Sequence, residues 1–165
     1  HPITLRSRPG QGSAFSVRVP YACRAPRPAT PAEVMPGNDQ LAGAKVWIVD
    51  DDPAVLEGMR ALLTGWGCRI AGGLSLAALR EAAAELPRPD LLVVDYHLDA
   101  ADDDGLAVAE QLQRERPGLP VLMVTANHDA ALKARIRERG YAYLLKPVKP
   151  LRLKMLLVSL LGLAA

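Results

Sequence analysis

From residue 44 onward, short apolar runs alternate with segments that have apolar residues at helical spacing, and this alternation narrows the choice of fold. The apolar runs are AKVWIV, CRIAGGL, DLLVVD, LPVLMVT and YAYLL. The first helical segment, DPAVLEGMRALLTGW, has Asp52 as its expected N-cap and Pro53 at its first helical position. Short apolar strands that alternate with helices are typical of a parallel sheet covered on both faces. The sequence therefore predicts an α/β fold with a doubly wound, five-stranded parallel sheet and five helices.

The preceding residues follow a different pattern. Residues 1–22 predict a β-hairpin, because Ile3–Ser7 and Ala14–Val19 alternate between apolar and polar residues around a PGQG turn. A two-stranded hairpin alone is only marginally stable in water, so we expect this one to belong to a larger domain. Residues 23–43 include four prolines and little apolar periodicity, as in an extended linker. The predicted organisation is a hairpin remnant, a linker, and one domain over residues 44–165.

Composition argues against several classes of partner. The formal net charge is +2, and no run of Lys or Arg alternates with aromatic residues as a nucleic-acid stacking surface requires. Cys23 and Cys68 lie far apart without a metal-binding spacing, which favours free thiols in a reducing compartment. The longest apolar run, MLLVSLLGLAA, is too short to cross a bilayer, and no signal-peptide pattern opens the chain. We therefore expect a cytoplasmic location, with no nucleic-acid partner and no direct membrane contact.

Polar residues follow four of the five predicted strands. They are Asp50 and Asp51, Asp95, Thr125, and Lys146. Ligands of such sheets bind outside the carboxyl ends of the strands, so these side chains should converge on one crevice. Two carboxylates about 4 Å apart repel by as much as about 4 kcal/mol in an intermediate dielectric unless a cation joins them. A hard divalent ion such as Mg²⁺ does this with carboxylate oxygens, waters and a phosphate.

This group of residues suits phosphoryl chemistry. With Mg²⁺ bound, one carboxylate can attack a phosphoryl group and form an aspartyl phosphate. Asp95 is the favoured nucleophile, because it ends a buried strand, whereas Asp99, Asp102, Asp103 and Asp104 follow in an acidic loop. Lys146 would neutralise charge on the transferred group, and the Thr125 hydroxyl would donate a hydrogen bond to a phosphate oxygen.

The segments VDDDP, LLVVD, LMVTA and YLLKP resemble, in order and spacing, the four signature segments of the response-regulator receiver domain of two-component signalling. The resemblance covers roughly residues 44–162 and implies the flavodoxin-like receiver fold. It makes Asp95 the phosphoacceptor, and Asp51 a direct ligand of Mg²⁺ or Mn²⁺. Asp50 would act partly through water, and the backbone carbonyl of His97 would complete the protein's ligands. The peptide between the family's lysine, here Lys146, and the following proline is typically cis.

The resemblance also implies a switch. Thr125 would move toward the phosphoryl group, and Tyr143 would turn inward to fill the space, which biases the surface of the fourth helix, fifth strand and fifth helix. His97 and Asn127 occupy positions that modulate loss of the phosphoryl group. Two departures lie in the loop after the acceptor: Asp99 stands where receivers usually carry proline, and the loop is longer than in the common pattern. We expect Asp104 to cap the helix that begins near Gly105.

SRPGQGSAFSVRVP resembles the closing hairpin of the histidine-kinase ATP-binding domain. This resemblance implies that the receiver belongs to a hybrid sensor histidine kinase, whose parent dimerises and can be membrane-anchored. The phosphoryl donor would be a phosphohistidine of its own kinase core or of a histidine phosphotransfer protein. The receiver would catalyse its own phosphorylation, whereas the parent would be the phosphotransferase.

Two other functions compete with this interpretation. Phosphohydrolases of the haloacid-dehalogenase type also use an Asp at a strand end with Mg²⁺, but they need a second Asp two residues later, where this chain has His97. A receiver-like docking module that no longer accepts phosphate is the other alternative. The complete set of acidic, hydroxyl and lysine residues argues against it.

Overall fold

The computed structural model describes residues 2–8, 10, 12–18, 39–98 and 104–163. The chain divides into two compact units, His1–Met35 and Pro36–Ala165. None of the helices among the described residues has the length and apolar character needed to cross a bilayer.

The smaller unit contains the predicted hairpin. Its strands, β1 (Ile3–Arg8) and β2 (Gly12–Val17), pair antiparallel. The end of the second predicted strand at Val19 and linker residues 23–38 lie outside the described residues. Strand register places Ile3, Leu5, Phe15 and Val17 on one face, and each of these side chains is more than half exposed.

The larger unit confirms the predicted α/β fold. Its five strands are parallel and lie in the order β4-β3-β5-β6-β7. The strands are β3 (Lys45–Val49), β4 (Arg69–Gly73), β5 (Leu91–Asp95), β6 (Val121–Thr125) and β7 (Ala142–Leu145). The helices are α1 (Pro53–Gly65), α2 (Leu76–Ala82), α3 (Gly105–Glu115), α4 (Ala130–Glu138) and α5 (Pro150–Leu160), with short 3-10 turns at Asp39–Leu41 and Ala83–Glu85.

Side chains alternate between two apolar layers, one on each face of the sheet, as the period of a strand requires. Trp47, Val49, Leu92 and Val94 face one layer, which includes residues of α2, α3 and α4. Val46, Ile48, Leu91 and Val93 face the other layer, which includes residues of α1 and α5. The sheet is therefore covered on both faces, and only the ends of its strands remain available for a site.

Side-chain caps mark the starts of α1, α2, α3 and α4, whereas α5 begins with a proline and has no side-chain cap. The expected caps Asp52 and Asp104 accept hydrogen bonds from backbone N–H groups in the first turns of α1 and α3. Ser75 does the same for α2, and Asp129 for α4. Each cap satisfies a backbone donor that the first turn of a helix leaves unpaired. The caps of α1, α3 and α4 thus define where the loops after β3, β5 and β6 end.

The packed unit begins before residue 44. Asp39–Leu41 form a single 3-10 turn, and the Leu41 side chain is fully buried in the layer with α1 and α5. The Cys68 thiol donates to the Leu41 carbonyl at 3.5 Å. Leu41 therefore packs with the larger unit, whereas Gln40, Ala42 and Gly43 are exposed. A single buried leucine produces no periodic pattern, so apolar spacing does not predict its burial.

Candidate functional site

The predicted site residues meet at the carboxyl edge of the sheet. Asp50 and Asp51 follow β3, Asp95 ends β5, Thr125 ends β6 and Lys146 follows β7. Asp50, Asp95 and Thr125 are almost completely buried, at 3%, 5% and 0% exposure. Buried ionisable groups need partners because their charges lose the solvation of water.

Lys146 joins two of the carboxylates. Its Nζ donates to Asp95 Oδ2 at 2.8 Å and to Asp50 Oδ2 at 3.2 Å. The backbone N–H of Lys146 donates to the Thr125 carbonyl at 2.8 Å, which fixes the start of the side chain beside β6. The peptide bond between Lys146 and Pro147 is cis, as the resemblance implied. The site thus combines an ammonium group with two buried carboxylates.

Asp50, Asp51 and Asp95 form a cluster in which one ligand atom from each lies within 4.8 Å of the others. Asp95 Oδ1 is buried and accepts no hydrogen bond from the residues that the structure describes. Such an atom costs free energy unless a ligand satisfies it. Three carboxylates with an unsatisfied buried oxygen match the donor set of a hard divalent cation.

The pKa directions follow from this arrangement. Burial raises the pKa of Asp50, and the negative charge of Asp95 adds to the rise, whereas the Asp52 backbone N–H and Lys146 oppose it. Burial lowers the pKa of Lys146, but hydrogen bonds and attraction to Asp95 and Asp50 outweigh that effect and raise it. The lysine is therefore charged at neutral pH, as its function as a positive partner requires.

Gly105 lets α3 approach the site closely. A Cβ atom at this position would lie 1.9 Å from the backbone oxygen of Asp95. The Gly105 N–H donates to the Tyr96 carbonyl at 3.0 Å and ties the helix to the end of β5. Only glycine permits this approach, which fixes the backbone that carries the Asp95 carboxylate.

Thr125 is held by the loop that follows β6. Its Oγ1 accepts from the Asn127 N–H at 3.0 Å, and Asn127 Oδ1 accepts from the Asp129 N–H at 2.8 Å. Asp129 Oδ1 in turn accepts from the Ala131 N–H at 3.0 Å, inside α4. Because Oγ1 serves as an acceptor here, the hydroxyl proton remains available for an incoming oxygen.

Tyr143 lies on the same face of the sheet as Thr125. In the parallel register Met123 pairs with Tyr143 and Thr125 with Leu145, and side chains two residues apart share a face. The half-buried ring packs against the layer with α2, α3 and α4. Its hydroxyl accepts from Arg137 Nη2 at 2.8 Å, and the guanidinium carbon lies 5.1 Å from the ring centroid.

The His97 side chain lies at the surface of the larger unit. It is exposed, two residues beyond Asp95, and its ring contacts Tyr96 edge to face at a centroid distance of 4.8 Å. Asp99, Asp102 and Asp103 lie outside the described residues, whereas Asp104 caps α3 as expected.

Sequence reasoning missed Arg137. Its contact with Tyr143 depends on how α4 packs across β7, and neither hydropathy nor a motif encodes that distance. The nearest signal in the sequence is the run of basic residues in ALKARIRERG, which by itself predicts only an exposed helix face.

The fold and the strand-end site together define a receiver domain. A sequence profile described as "Response regulator receiver domain" matches residues 46–157, more than half of the chain. The chain belongs to this family, which confirms the resemblance seen in its four segments.

Among curated proteins, the chain is similar to the probable transcriptional regulatory protein TcrX of Mycobacterium tuberculosis, with 39% identity over 105 residues. That match covers 62% of this chain and 43% of the relative. The DNA-binding transcriptional regulator NtrC of Escherichia coli K12 is 33% identical over 103 residues, covering 62% of this chain and 21% of NtrC. The chain thus matches less than half the length of either relative.

Solved structures give the same fold. A putative response regulator from Chloroflexus aurantiacus matches with a TM-score of 0.63 and 29% identity, covering 73% of this chain and 98% of that one. A CheY-like response regulator receiver domain protein from Methanospirillum hungatei matches with a TM-score of 0.64 and 26% identity, covering 73% and 95% of the two chains.

Proposed function

We propose that this receiver domain accepts a phosphoryl group from a phosphohistidine onto Asp95 and switches its protein contacts in response. The single observation that carries the proposal is the state of the Asp95 carboxylate. Oδ2 is held by Lys146 at 2.8 Å, and Oδ1 is buried without a hydrogen-bond partner among the described residues. One oxygen is anchored while the other is left for a new bond.

The transfer exchanges one bond to phosphorus for another. Asp95 Oδ1 attacks the phosphorus with a lone pair, and the phosphorus–nitrogen bond of the phosphohistidine breaks. The electrons of that bond return to the imidazole, which takes up a proton from water. The product is an acyl phosphate, with Lys146 beside its carboxyl oxygen and the Thr125 hydroxyl as a donor to a phosphoryl oxygen.

The three clustered carboxylates suit a resident divalent cation. Asp51 and Asp95 would hold Mg²⁺ or Mn²⁺ directly, Asp50 would act partly through water, and the His97 backbone carbonyl would complete the protein ligands. When bound, the ion neutralises charge on the phosphoryl oxygens. The close approach of the three acids supports this assignment.

The switch and the lifetime of the phosphoryl group involve the residues around this core. Thr125 and Tyr143 would form the switch, which is supported by their shared face of the sheet. His97 and Asn127 would modulate hydrolysis of the acyl phosphate. The position of Asn127 beside the Thr125 hydroxyl supports its part in this.

Incubation with a small acyl phosphate and Mg²⁺, followed by intact mass measurement, tests the acceptor. We expect a gain of one phosphoryl group that Asp95→Asn abolishes. Asp90→Asn is the matched control, because it makes the same change at the other end of β5, where Asp90 accepts from the Lys45 N–H. Uptake that persists in Asp95→Asn would contradict the assignment.

The same assay separates the competing functions. Repeated turnover of phosphate esters would indicate a phosphohydrolase of the haloacid-dehalogenase type. Absence of any phosphoryl uptake by the wild-type chain would indicate a docking module that no longer accepts phosphate.

We further propose that the receiver belongs to a hybrid sensor histidine kinase, with a cytoplasmic receiver and a dimeric parent. The kinase-like motif in the first residues and its antiparallel hairpin support this parentage. The parent would then be a phosphotransferase. The similarity to TcrX and NtrC favours a second candidate, the receiver of a transcriptional regulator.

The reading frame upstream of the His1 codon tests the parentage. A kinase catalytic core with nucleotide-binding loops there is the expected result. An unrelated upstream sequence, together with a DNA-binding domain encoded downstream, would favour the transcriptional regulator.

A further inference from the structure

We infer that Arg137 is a positioning residue that holds Tyr143 in its outward position and thereby opposes phosphorylation of Asp95. This inference rests on the proposed function. It concerns a contact that none of the four signature segments includes, because Arg137 lies in α4.

The contact between the two side chains has two parts. Arg137 Nη2 donates to the Tyr143 hydroxyl at 2.8 Å, and the guanidinium lies over the ring at 5.1 Å from its centroid. A cation over an aromatic face is attracted to the ring, and a hydrogen bond from a charged donor is stronger than a neutral one. Arg137 therefore stabilises the ring and the hydroxyl in the same position.

The hydroxyl is kept near the surface by this contact. Arg137 is exposed, whereas Tyr143 is half-buried and lies against the layer that includes Leu132 and Ile136 of α4. If the ring turns toward the space beside Thr125, its hydroxyl leaves the guanidinium, because the guanidinium stays with the exposed side of α4. The inward state thus loses both parts of the contact.

Helix α4 is also connected to Thr125. The hydrogen bonds from Asn127 to Thr125, from Asp129 to Asn127 and from Ala131 to Asp129 run without a break from the end of β6 into the helix. A shift of Thr125 toward a phosphoryl oxygen therefore moves the start of the element that carries Arg137. Both ends of the switch act on the same helix.

A ligand binds less tightly when only a fraction of the protein molecules is in the conformation that can bind it. Removing a contact found only in the outward state should raise that fraction. We expect Arg137→Ala to increase the affinity for beryllofluoride with Mg²⁺, a phosphoryl mimic, by about three- to ten-fold. Isothermal titration of the whole chain measures this affinity.

Arg135→Ala is the matched control, since it removes the same charge from the same helix; we expect wild-type affinity. Arg137→Lys keeps the charge without the planar donor group and should fall between wild type and Arg137→Ala. In a Tyr143→Ala background, Arg137→Ala should have no effect, because its partner is already absent. A purely structural role for Arg137 would not depend on Tyr143 in this way.

An unchanged or lower affinity in Arg137→Ala would overturn the inference, and so would an equal effect in the Tyr143→Ala background. In both cases, beryllofluoride binding by the wild type would leave the proposed function intact. Failure of the wild type to bind beryllofluoride would instead reject the proposed function, and the inference with it. Thermal melting of each variant establishes that it is folded, and Arg137→Gln replaces Arg137→Ala if the latter does not fold.

Discussion

The ammonium group of Lys146 lies 2.8 Å from Oδ2 of Asp95, although the two residues leave strands that are separated by β6. The Lys146 side chain therefore reaches from the end of the edge strand β7, past β6, to the end of the central strand β5. It also places a positive charge where three carboxylates gather.

Replacement of Lys146 by Met should destabilise the protein without divalent ions by about 1–3 kcal/mol, because buried carboxylates lose their cation. Ligand binding to the folded state stabilises it. Added Mg²⁺ should therefore restore more stability to the variant than it adds to wild type, because in the variant the ion replaces the missing positive charge. Urea unfolding with and without MgCl₂ measures both effects. Lys149→Met, at an exposed position, is the control. Equal stability of Lys146→Met and wild type would contradict the electrostatic account.

Gly105→Ala should cost about 3 kcal/mol or more, because the new methyl group would overlap the backbone of Asp95. The displaced strand end should also slow phosphorylation of Asp95. Gly58→Ala is the control: Gly58 is an exposed residue of α1, and an added Cβ there meets no atom within 4 Å. That change should stabilise the protein by about 0.5–1 kcal/mol. Denaturant midpoints that rank the two variants in the opposite order would refute the packing argument.

Cys68 should make stability fall at high pH. Burial raises the pKa of its thiol above the ordinary value of 9.0, although Lys154 opposes the rise. Above about pH 9 the unfolded chain loses this proton while the folded chain retains it, so the free energy of unfolding decreases. Below that pH both states keep the proton, so the buried neutral thiol makes its full contribution to the free energy of unfolding. Cys68→Ala should therefore lose less stability than wild type between about pH 8 and 10. Parallel pH profiles of urea unfolding would disprove this.

Trp47→Phe should destabilise the protein by about 1–3 kcal/mol, because Trp47 Nε1 donates to the buried Leu86 carbonyl at 2.9 Å. The ring also lies under Arg116, whose guanidinium carbon is 4.5 Å from its centroid. Trp66→Phe provides the comparison, since Trp66 is half-buried and contacts Lys154 over its ring at 5.4 Å. It should cost less than about 1 kcal/mol. A larger loss for Trp66→Phe in thermal or urea unfolding would reject this ranking.

Much of the site followed from one rule applied to the sequence. Because the strands are parallel and buried, the polar residue after each strand had to lie at the same edge. Asp50, Asp95, Thr125 and Lys146 were located in this way, and the structure brings them together. The position of Asp52 before Pro53 predicts a helix cap and not a member of the acidic cluster, and Asp52 caps α1.

Features that depend on distances between elements were harder to predict. Glycine is unfavourable inside a strand, yet Gly73 lies in β4, where a Cβ atom would lie 2.2 Å from the Leu79 nitrogen of α2. The burial of Leu41 and the contact of Arg137 with Tyr143 likewise arise from packing between separate segments. Local propensity contains no term for such approaches.

Asp95 and Lys146 form an ion pair, but the sheet holds their two backbones to different degrees. Asp95 ends an interior strand with neighbours on both sides, whereas Lys146 follows β7, the outermost strand, which has a neighbour on one side. Outer strands of a sheet open more readily than inner ones. Transient opening of β7 would move the Lys146 ammonium away while the Asp95 carboxylate stays in place. The site can therefore lose its positive charge without global unfolding.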